Sequence, residues 1–372
     1  MRILFTFAGG RGHLNPLVPI ARAAEDAGHA AAFTGGASSV STIESLGFRA
    51  LGQRRDPEPR KRTPLREVDV EHAAAEFRDN FTGDGARRRA AAVLELAGEW
   101  QPDVLVCEET DFGAMVAAER LGVPHATVLV LGTDWFLRPE LVGEPLDALR
   151  AEHGLPPDPE LAMPGRHLVL SPFPPRYREL PANGHAFRSF EPAPAAEPHG
   201  PTVYFTLGTE FNVESGDLYS RVLAGLEALP VNVTATVGND IDPQELGPQP
   251  GRIRVERYVD QALVLPGCDA VVCHGGAGTV IGSLAHGLPL VVIPLGADQP
   301  LNAPRCEQLG VGRALDPVRC TPADVRDAVA AVLAEPGYRQ AAERLRDELA
   351  ALPAPASAVP LLEQLEVMTC AR

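Results

Sequence analysis

The chain has 372 residues, which at roughly 150 per domain suggests two to three domains, and 45% apolar with 22% charged residues is the make-up of a globular protein. Thirty-three basic residues against forty-nine acidic ones leave a formal charge of −16, which disfavours nucleic acid and anionic membrane surfaces as partners. Apolar runs such as residues 126–131 fall far short of a membrane span, and residues 3–7 are too short an apolar stretch for a signal peptide, so a cytoplasmic protein is expected.

Residues 3–7 lead into Gly9-Gly10-Arg11-Gly12, after which Leu17, Ile20, Ala21 and Ala24 recur on one helical face; the pattern predicts strand, glycine turn and helix. Pro16 suits the first helical turn, Gly28 the helix end, and residues 30–33 the next strand. Residues 53–89 are rich in charge and proline, with a basic cluster of Arg54-Arg55 and Arg60-Lys61-Arg62, and read as a mobile surface loop that closes over a substrate. The alternation resumes with a strand at 104–107, a helix at 112–121 stopped by Gly122 and a strand at 125–130.

Residues 191–201 hold four prolines in eleven positions and read as a semi-rigid linker. Beyond it come a strand at 202–207, a helix at 218–229, strands at 231–237 and 270–273, a helix at 279–286 ended by Gly287, and a strand at 290–293. The fold class is therefore α/β, with one domain over 1–190, a second over 202–355, and a terminal helix within 356–372 that crosses back to the first. There is no strict internal repeat, but the halves share a design. Six cysteines (Cys107, Cys268, Cys273, Cys306, Cys320 and Cys370) form no CxxC pair and read as reduced, mostly buried thiols.

Strand-to-helix turns at the carboxyl edge of a parallel sheet are where such folds bind ligands. The first turn, Gly10-Arg11-Gly12-His13-Leu14-Asn15, fails the dinucleotide fingerprint because Asn15 stands at the third glycine, and strand two ends in Thr34-Gly35-Gly36 with no acid for a ribose. A nicotinamide enzyme is disfavoured. What the turn offers is His13, a candidate general base or else a space-filling histidine at a helix start. The second turn, His274-Gly275-Gly276-Ala277-Gly278-Thr279, opens a helix with three glycines, a histidine and a hydroxyl, a setting for phosphate, and it lacks the Gly-Lys-Ser/Thr of a P-loop. Downstream, Asp298-Gln299 could hold sugar hydroxyls; upstream, Tyr258-Val259-Asp260-Gln261 could stack on and bond a base. The only Asp-x-Asp, Asp240-Ile241-Asp242, lies in a turn-forming stretch and reads as turn chemistry, so no metal site is expected.

In combination these motifs resemble those of family 1 glycosyltransferases: residues 274–279 with Asp298-Gln299, Asn302-Ala303 and residues 258–261 are similar to the donor-binding motif, and Gly12-His13-Leu14-Asn15-Pro16 to the acceptor-side motif. The resemblance runs from residue 3 to about residue 350 and is closest to bacterial enzymes that attach sugars, often dTDP-activated deoxysugars, to natural-product aglycones. It implies a GT-B fold, two Rossmann-like domains with the reaction in a deep cleft between them. It also implies an inverting, metal-independent transfer from a nucleotide diphosphate sugar to a hydroxyl of a small apolar aglycone, with no cofactor beyond that substrate. A homodimer is compatible with it.

Carried over residue by residue, the resemblance makes His13 the base and Glu108 the acid that orients it, with Asp111 as a rival three residues on. It assigns the diphosphate to His274, Gly275, Gly276, Gly278 and Thr279, the sugar to Asp298 and Gln299, the nucleoside to Tyr258, Val259 and Gln261, and further phosphate contacts to Gly10 and Arg11. Phe77, Phe81, Asp111, Phe112, Trp135 and Phe136 are the candidate acceptor residues. A sugar-nucleotide epimerase of the same fold and a noncatalytic glycosyltransferase-like helper remain the alternatives at this point.

Overall fold

In the computed structural model, which describes residues 1–55, 60–190 and 200–370, the chain divides into two units. Unit 1 takes Met1–Pro57, Glu71–Ser189 and Leu352–Arg372; unit 2 takes Glu58–Val70 and Phe190–Ala351. The linker expected at 191–201 lies, over 191–199, outside the described residues.

Unit 1 is built on a parallel sheet of seven strands: β1 (Arg2–Thr6), β2 (Ala30–Thr34), β3 (Arg49–Ala50), β4 (Val104–Glu108), β5 (His125–Val128), β6 (Leu168–Ser171) and β7 (Gly184–Ala186), in the order β3-β2-β1-β4-β5-β6-β7. Its inner strands are buried along nearly their whole length, which is why they read as continuous apolar runs rather than alternating ones. The chain winds outward from β1 to β3 and returns to lay β4 on the other side of β1, with Thr6 opposite Cys107. That reversal is a topological switch point, and the residues that follow Thr6 and Cys107 emerge side by side at the carboxyl edge.

Unit 2 repeats the plan with six parallel strands: β8 (Thr202–Thr206), β9 (Asn232–Thr236), β10 (Ile253–Glu256), β11 (Ala270–Cys273), β12 (Leu290–Val292) and β13 (Gly312–Ala314), ordered β10-β9-β8-β11-β12-β13. Its switch point lies between β8 and β11, where Thr206 stands opposite Cys273. Both units therefore pair a threonine with a cysteine at the last rung before their reversal, the clearest trace of their shared design.

Each sheet has its own core. In unit 1, Ile3, Phe5, Phe33 and Val106 pack with Leu17 and Ile20, and the helix Val359–Cys370 adds Val359, Leu362 and Leu365 to the same cluster. In unit 2, Val203, Phe205, Val233 and Val272 pack with Leu223, Leu226 and Val329. The five described cysteines, Cys107, Cys268, Cys273, Cys306 and Cys320, are free and buried.

The segment expected to be one mobile loop, residues 53–89, is corrected by the structure. Residues 70–81 form the helix Val70–Phe81, and from residue 84 a second helix runs Asp84–Trp100. Ala86, Ala90, Val93 and Ala97 give the second helix a buried face made almost wholly of alanine, a stripe with too little apolar bulk to stand out in the sequence. That face seats closely against the helix Phe112–Leu121, because a Cβ on Gly113 would lie 2.3 Å from the Ala86 carbonyl. Residues 60–69 form no regular element but are tied down on unit 2. Arg60 donates to the carbonyls of Thr209 and Glu210, to Asn212 Oδ1 at 2.8 Å and to Asp240 Oδ2 at 2.7 Å, and Thr63 N bonds the Val213 carbonyl.

Candidate active site

In unit 1 the switch point holds a histidine and a carboxylate. After β1 the chain passes through glycines into the short helix Arg11–Leu14, in which Leu14 is buried and His13 keeps its ring 20% exposed. Glu108 is the last residue of β4 and is fully buried. His13 Nδ1 lies 3.1 Å from Glu108 Oε2. Glu108 also accepts from Ala8 N at 3.0 Å and from Thr110 N at 2.8 Å. Burial alone would push the Glu108 carboxyl up, but the adjoining imidazole and these hydrogen bonds to the anion outweigh it and hold the group below the ordinary carboxylate value.

The ring of His13 is fixed from two further sides. Gly9 passes so close that a Cβ there would fall 2.3 Å from His13 Cδ2 and 2.5 Å from Nε2, and Phe81 stacks on the imidazole with centroids 5.6 Å apart and planes at 17°. Neither Gly9 nor Thr110 was legible as a site residue in the sequence: a glycine before a glycine turn and a threonine after a strand carry no signal of their own. Gly10 caps the start of this short helix without a side-chain bond, and Arg11, its first residue, is exposed.

Asp111 does not share the position of Glu108. It is the N-cap of the helix Phe112–Leu121, accepting from Ala114 N at 3.2 Å, and it pairs with Arg89 at 2.7 Å while itself buried. Arg89 in turn donates to the carbonyls of Thr34 and Gly35. The expectation that Asp111 touches an acceptor is therefore corrected: its oxygens are committed to a helix cap and a buried ion pair.

The candidate acceptor aromatics are linked in space. Phe81 packs on Phe77 at 5.0 Å, Phe77 on Phe136 at 5.0 Å, and Phe136 meets Trp135 edge-on at 5.1 Å. They are not equivalent. Phe112 and Phe136 are 0% and 1% exposed, so they are core side chains that back the cluster, which corrects their assignment as acceptor contacts; Phe77 is also buried. Phe81 and Trp135 are half-buried, and Arg138 lies over Trp135 at 3.9 Å.

In unit 2 the switch point holds the turn from β11 into the helix Ala277–Ala285. Gly275 has φ +87° and a Cβ there would meet Val292 Cγ1 at 2.6 Å, so this bend admits no side chain. The His274 ring is held between two glycines: a Cβ on Gly276 or on Gly208 would lie 2.5 Å from its Nε2. Gly208, at φ +76°, follows β8 and belongs to no motif the sequence displays. Burial pushes the His274 imidazole down to about 4, against the backbone of Thr206, so the ring is neutral near pH 7. The helix N-cap, Gly276, makes no side-chain bond, which leaves the first amides of the helix without intrahelical partners, and Gly278 is exposed with open space around it. Thr279 accepts from Gln261 Nε2 at 3.2 Å, which joins two of the expected donor residues.

Asp298 and Gln299 are both buried. Asn302 Nδ2 bonds Asp298 Oδ2 at 2.9 Å and the Gly275 carbonyl at 2.9 Å, so it ties the loop after β12 to the His274 turn. Gln299 Oε1 accepts from Leu295 N at 2.8 Å and from Gly296 N at 3.2 Å. Between them Ala297 sits at φ +51°, in the left-handed region. Tyr258 is 54% exposed beyond the end of β10, Val259 is half-buried, and Gln261 opens the next short helix behind the Asp260 cap. Asp240 is engaged by Arg60, and Asp242 caps the turn Pro243–Leu246 and pairs with Arg257 at 3.2 Å.

Comparison with known proteins places these features in a family. Residues 220–365 match the erythromycin biosynthesis protein CIII-like C-terminal domain. The 4'-demethylrebeccamycin synthase of Lentzea aerocolonigenes is 33% identical, over 98% of this chain and 99% of that protein. The tylactone mycaminosyltransferase of Streptomyces fradiae is 30% identical over 99% and 93%, and the TDP-daunosamine transferase DnrS of Streptomyces peucetius 34% over 73% and 70%. Among solved structures, the spinosyn forosaminyltransferase SpnP aligns with a TM-score of 0.77 at 25% identity, covering 99% of each chain, and the rhamnosyltransferase SpnG with 0.81 at 24%, covering 98% and 100%. Two parallel-sheet units with their polar residues at both switch points, and near full-length relatives at 30% identity or more, lead to one conclusion: the chain belongs to the bacterial natural-product glycosyltransferases of the GT-B fold.

Proposed function

We propose that this enzyme moves a sugar from a nucleotide diphosphate sugar, a dTDP-deoxysugar, to a hydroxyl of a small apolar natural-product acceptor, in one inverting displacement and without a divalent metal. The observation that carries the reading is the His13–Glu108 pair at 3.1 Å, placed at the switch point of unit 1 where this fold class does its chemistry. With Nδ1 held by Glu108, Nε2 takes the acceptor proton as the acceptor oxygen attacks the anomeric carbon opposite the diphosphate. The carboxylate stabilises the imidazolium that forms, as the acid of a hydrolase triad does.

The leaving diphosphate rests on the amides at the start of Ala277–Ala285, with Thr279, Gly275, Gly276 and Gly278 around it, and with Gly10 and Arg11 as further phosphate contacts. The helix start and His274 together stabilise the charge the leaving diphosphate gains, which a metal would otherwise do. Tyr258, Val259 and Gln261 hold the nucleoside, and Asp298 and Gln299 the sugar. The dTDP preference is supported by the name of the 34% identical TDP-daunosamine transferase, and an apolar acceptor by the half-buried Phe81 and Trp135 and by the spinosyn aglycone of a 25% identical structure. Free, buried thiols suit a reducing cytoplasm.

The test is incubation with a panel of dTDP- and UDP-sugars, with and without aglycones, following released nucleotide and glycosylated product. Product of inverted anomeric configuration, formed only with acceptor and unaffected by EDTA, is the expected outcome. Sugar isomerisation without acceptor, retention of configuration, or loss of activity to EDTA that Mg²⁺ or Mn²⁺ restores would each overturn the corresponding part of the reading.

A further inference from the structure

The carboxylate that faces His13 is not held by the backbone alone. Thr110 Oγ1 lies 2.7 Å from Glu108 Oε1 and 3.0 Å from Oε2, while its own backbone N–H reaches Oε2 at 2.8 Å. The same hydroxyl is 3.3 Å from His13 Nδ1. Thr110 is fully buried, as is Glu108, so no bulk water competes for these bonds. A hydroxyl has one proton and two lone pairs. Its proton goes to the carboxylate, its strongest neighbouring acceptor, and what it then presents to His13 Nδ1 is a lone pair.

Two acceptors, Glu108 Oε2 and Thr110 Oγ1, thus converge on one ring nitrogen. The arrangement is satisfied only when Nδ1 carries the proton, which leaves the lone pair on Nε2. The hydroxyl also spans both carboxylate oxygens, and with Ala8 N on Oε1 it opposes rotation of the carboxylate away from the ring.

We infer that Thr110 is a positioning residue for the transfer reaction: through its side-chain hydroxyl it locks the Glu108 carboxylate onto His13 and selects the Nδ1–H tautomer, in which the basic lone pair is on Nε2. This rests on His13 being the base, and the experiment separates the two claims. Nitrogen-15 NMR of the ring, with the His13 signals assigned by their loss in His13→Ala, reads the tautomer without any substrate. Wild type and Thr110→Ser should show a protonated Nδ1, whereas Thr110→Val, of the same shape without the hydroxyl, should show a mixture with protonated Nε2.

With the donor and acceptor pair found active in the panel, Thr110→Val should lower kcat by about tenfold or more, the cost of one lost bond to a buried charge, with donor KM little changed. Thr110→Ser should restore it. In a His13→Ala background Thr110→Val should cost nothing further, since the group it positions is gone. An unaltered tautomer in Thr110→Val, failure of Thr110→Ser to restore kcat, or a full effect in the His13→Ala background would overturn the inference. Normal turnover of His13→Ala by itself would instead remove the base assignment and leave the tautomer result standing on its own. If Thr110→Val does not fold, Thr110→Ala, which drops the methyl as well, is read by the same NMR comparison against Thr110→Ser.

Discussion

Two buried carboxylates three residues apart have different partners. Glu108 faces His13, and Asp111 faces Arg89 and a helix start. His13→Ala should therefore lower turnover by about 10²–10⁴-fold, the usual worth of a general base, while calorimetry finds dTDP affinity little changed. Glu108→Gln should lower turnover strongly and move the pH–rate profile to lower pH, because an anionic neighbour raises a histidine pKa and its removal lets that pKa fall. The depressed Glu108 carboxyl has a second consequence. Its stabilisation is present in full above the ordinary carboxyl value of about 4.3 and is lost as pH falls through the lower folded value, so Tm of the wild type should drop more steeply below about pH 4.3 than that of Glu108→Gln. Asp111→Ala should behave oppositely: it strands the largely buried Arg89 and uncaps a helix, at about 3–5 kcal/mol of stability, without shifting the pH–rate profile. A profile that moved with Asp111→Asn and not with Glu108→Gln would exchange the two roles.

At the scale of the element, the site is shaped by where the backbone comes too close for a side chain. Gly208 and Gly276 grip the His274 ring from two sides, yet only Gly276 lies in the motif that opens the helix. Gly208→Ala combines a left-handed φ with a Cβ inside the imidazole, so it should displace His274 and weaken dTDP binding by about tenfold or more, measured by calorimetry. Unchanged affinity would show that the phosphate site does not depend on this ring. The strap at 60–69 is held chiefly by Arg60, partly exposed and therefore worth little in global stability. Arg60→Ala should leave Tm nearly unchanged but speed trypsin cleavage after Lys61 and Arg62 and raise hydrogen exchange at Thr63, whose N–H bonds the Val213 carbonyl.

At the scale of the whole molecule, the last helix belongs to a core of unit 1. Leu362 is fully buried among Leu17, Ile20 and their neighbours, and His29 pairs with Glu363 at 3.1 Å. Leu362→Ala should cost about 2–5 kcal/mol and lower the melting transition of unit 1, while the transition of unit 2, whose core it does not enter, stays in place. Scanning calorimetry that showed both transitions falling together would mean the units do not melt as independent bodies.

How much of this was legible follows from the range of the interaction involved. Apolar runs bounded by glycine and proline mark buried parallel strands locally, so β1, β2, β4, β8 and β11 lie within a residue or two of where the sequence puts them, and β11 and the helix Phe112–Leu121 fall where expected to the residue. The short strands β3, β7 and β13, two or three residues long, carry no such run, and the alanine-faced helix Asp84–Trp100 lacks apolar bulk, so these were invisible until packing revealed them. His13 and the His274 turn stand out because they follow strands that the sequence locates, whereas Glu108 is singled out over Asp111 only through the family resemblance. Thr110, Gly9, Gly208 and Arg60 were not legible. Their roles come from partners 97 residues away in chain for Thr110 and His13, or 152 for Arg60 and Asn212, and from clearances of under 3 Å around the two histidine rings. The residue types and their local spacing determined the α/β class and the two strand-to-helix turns, and the combined motifs carried the family resemblance that implied the chemistry. Only the tertiary structure decided which carboxylate meets the histidine and which glycines must stay bare, because those depend on distances between strands that the sequence does not place side by side.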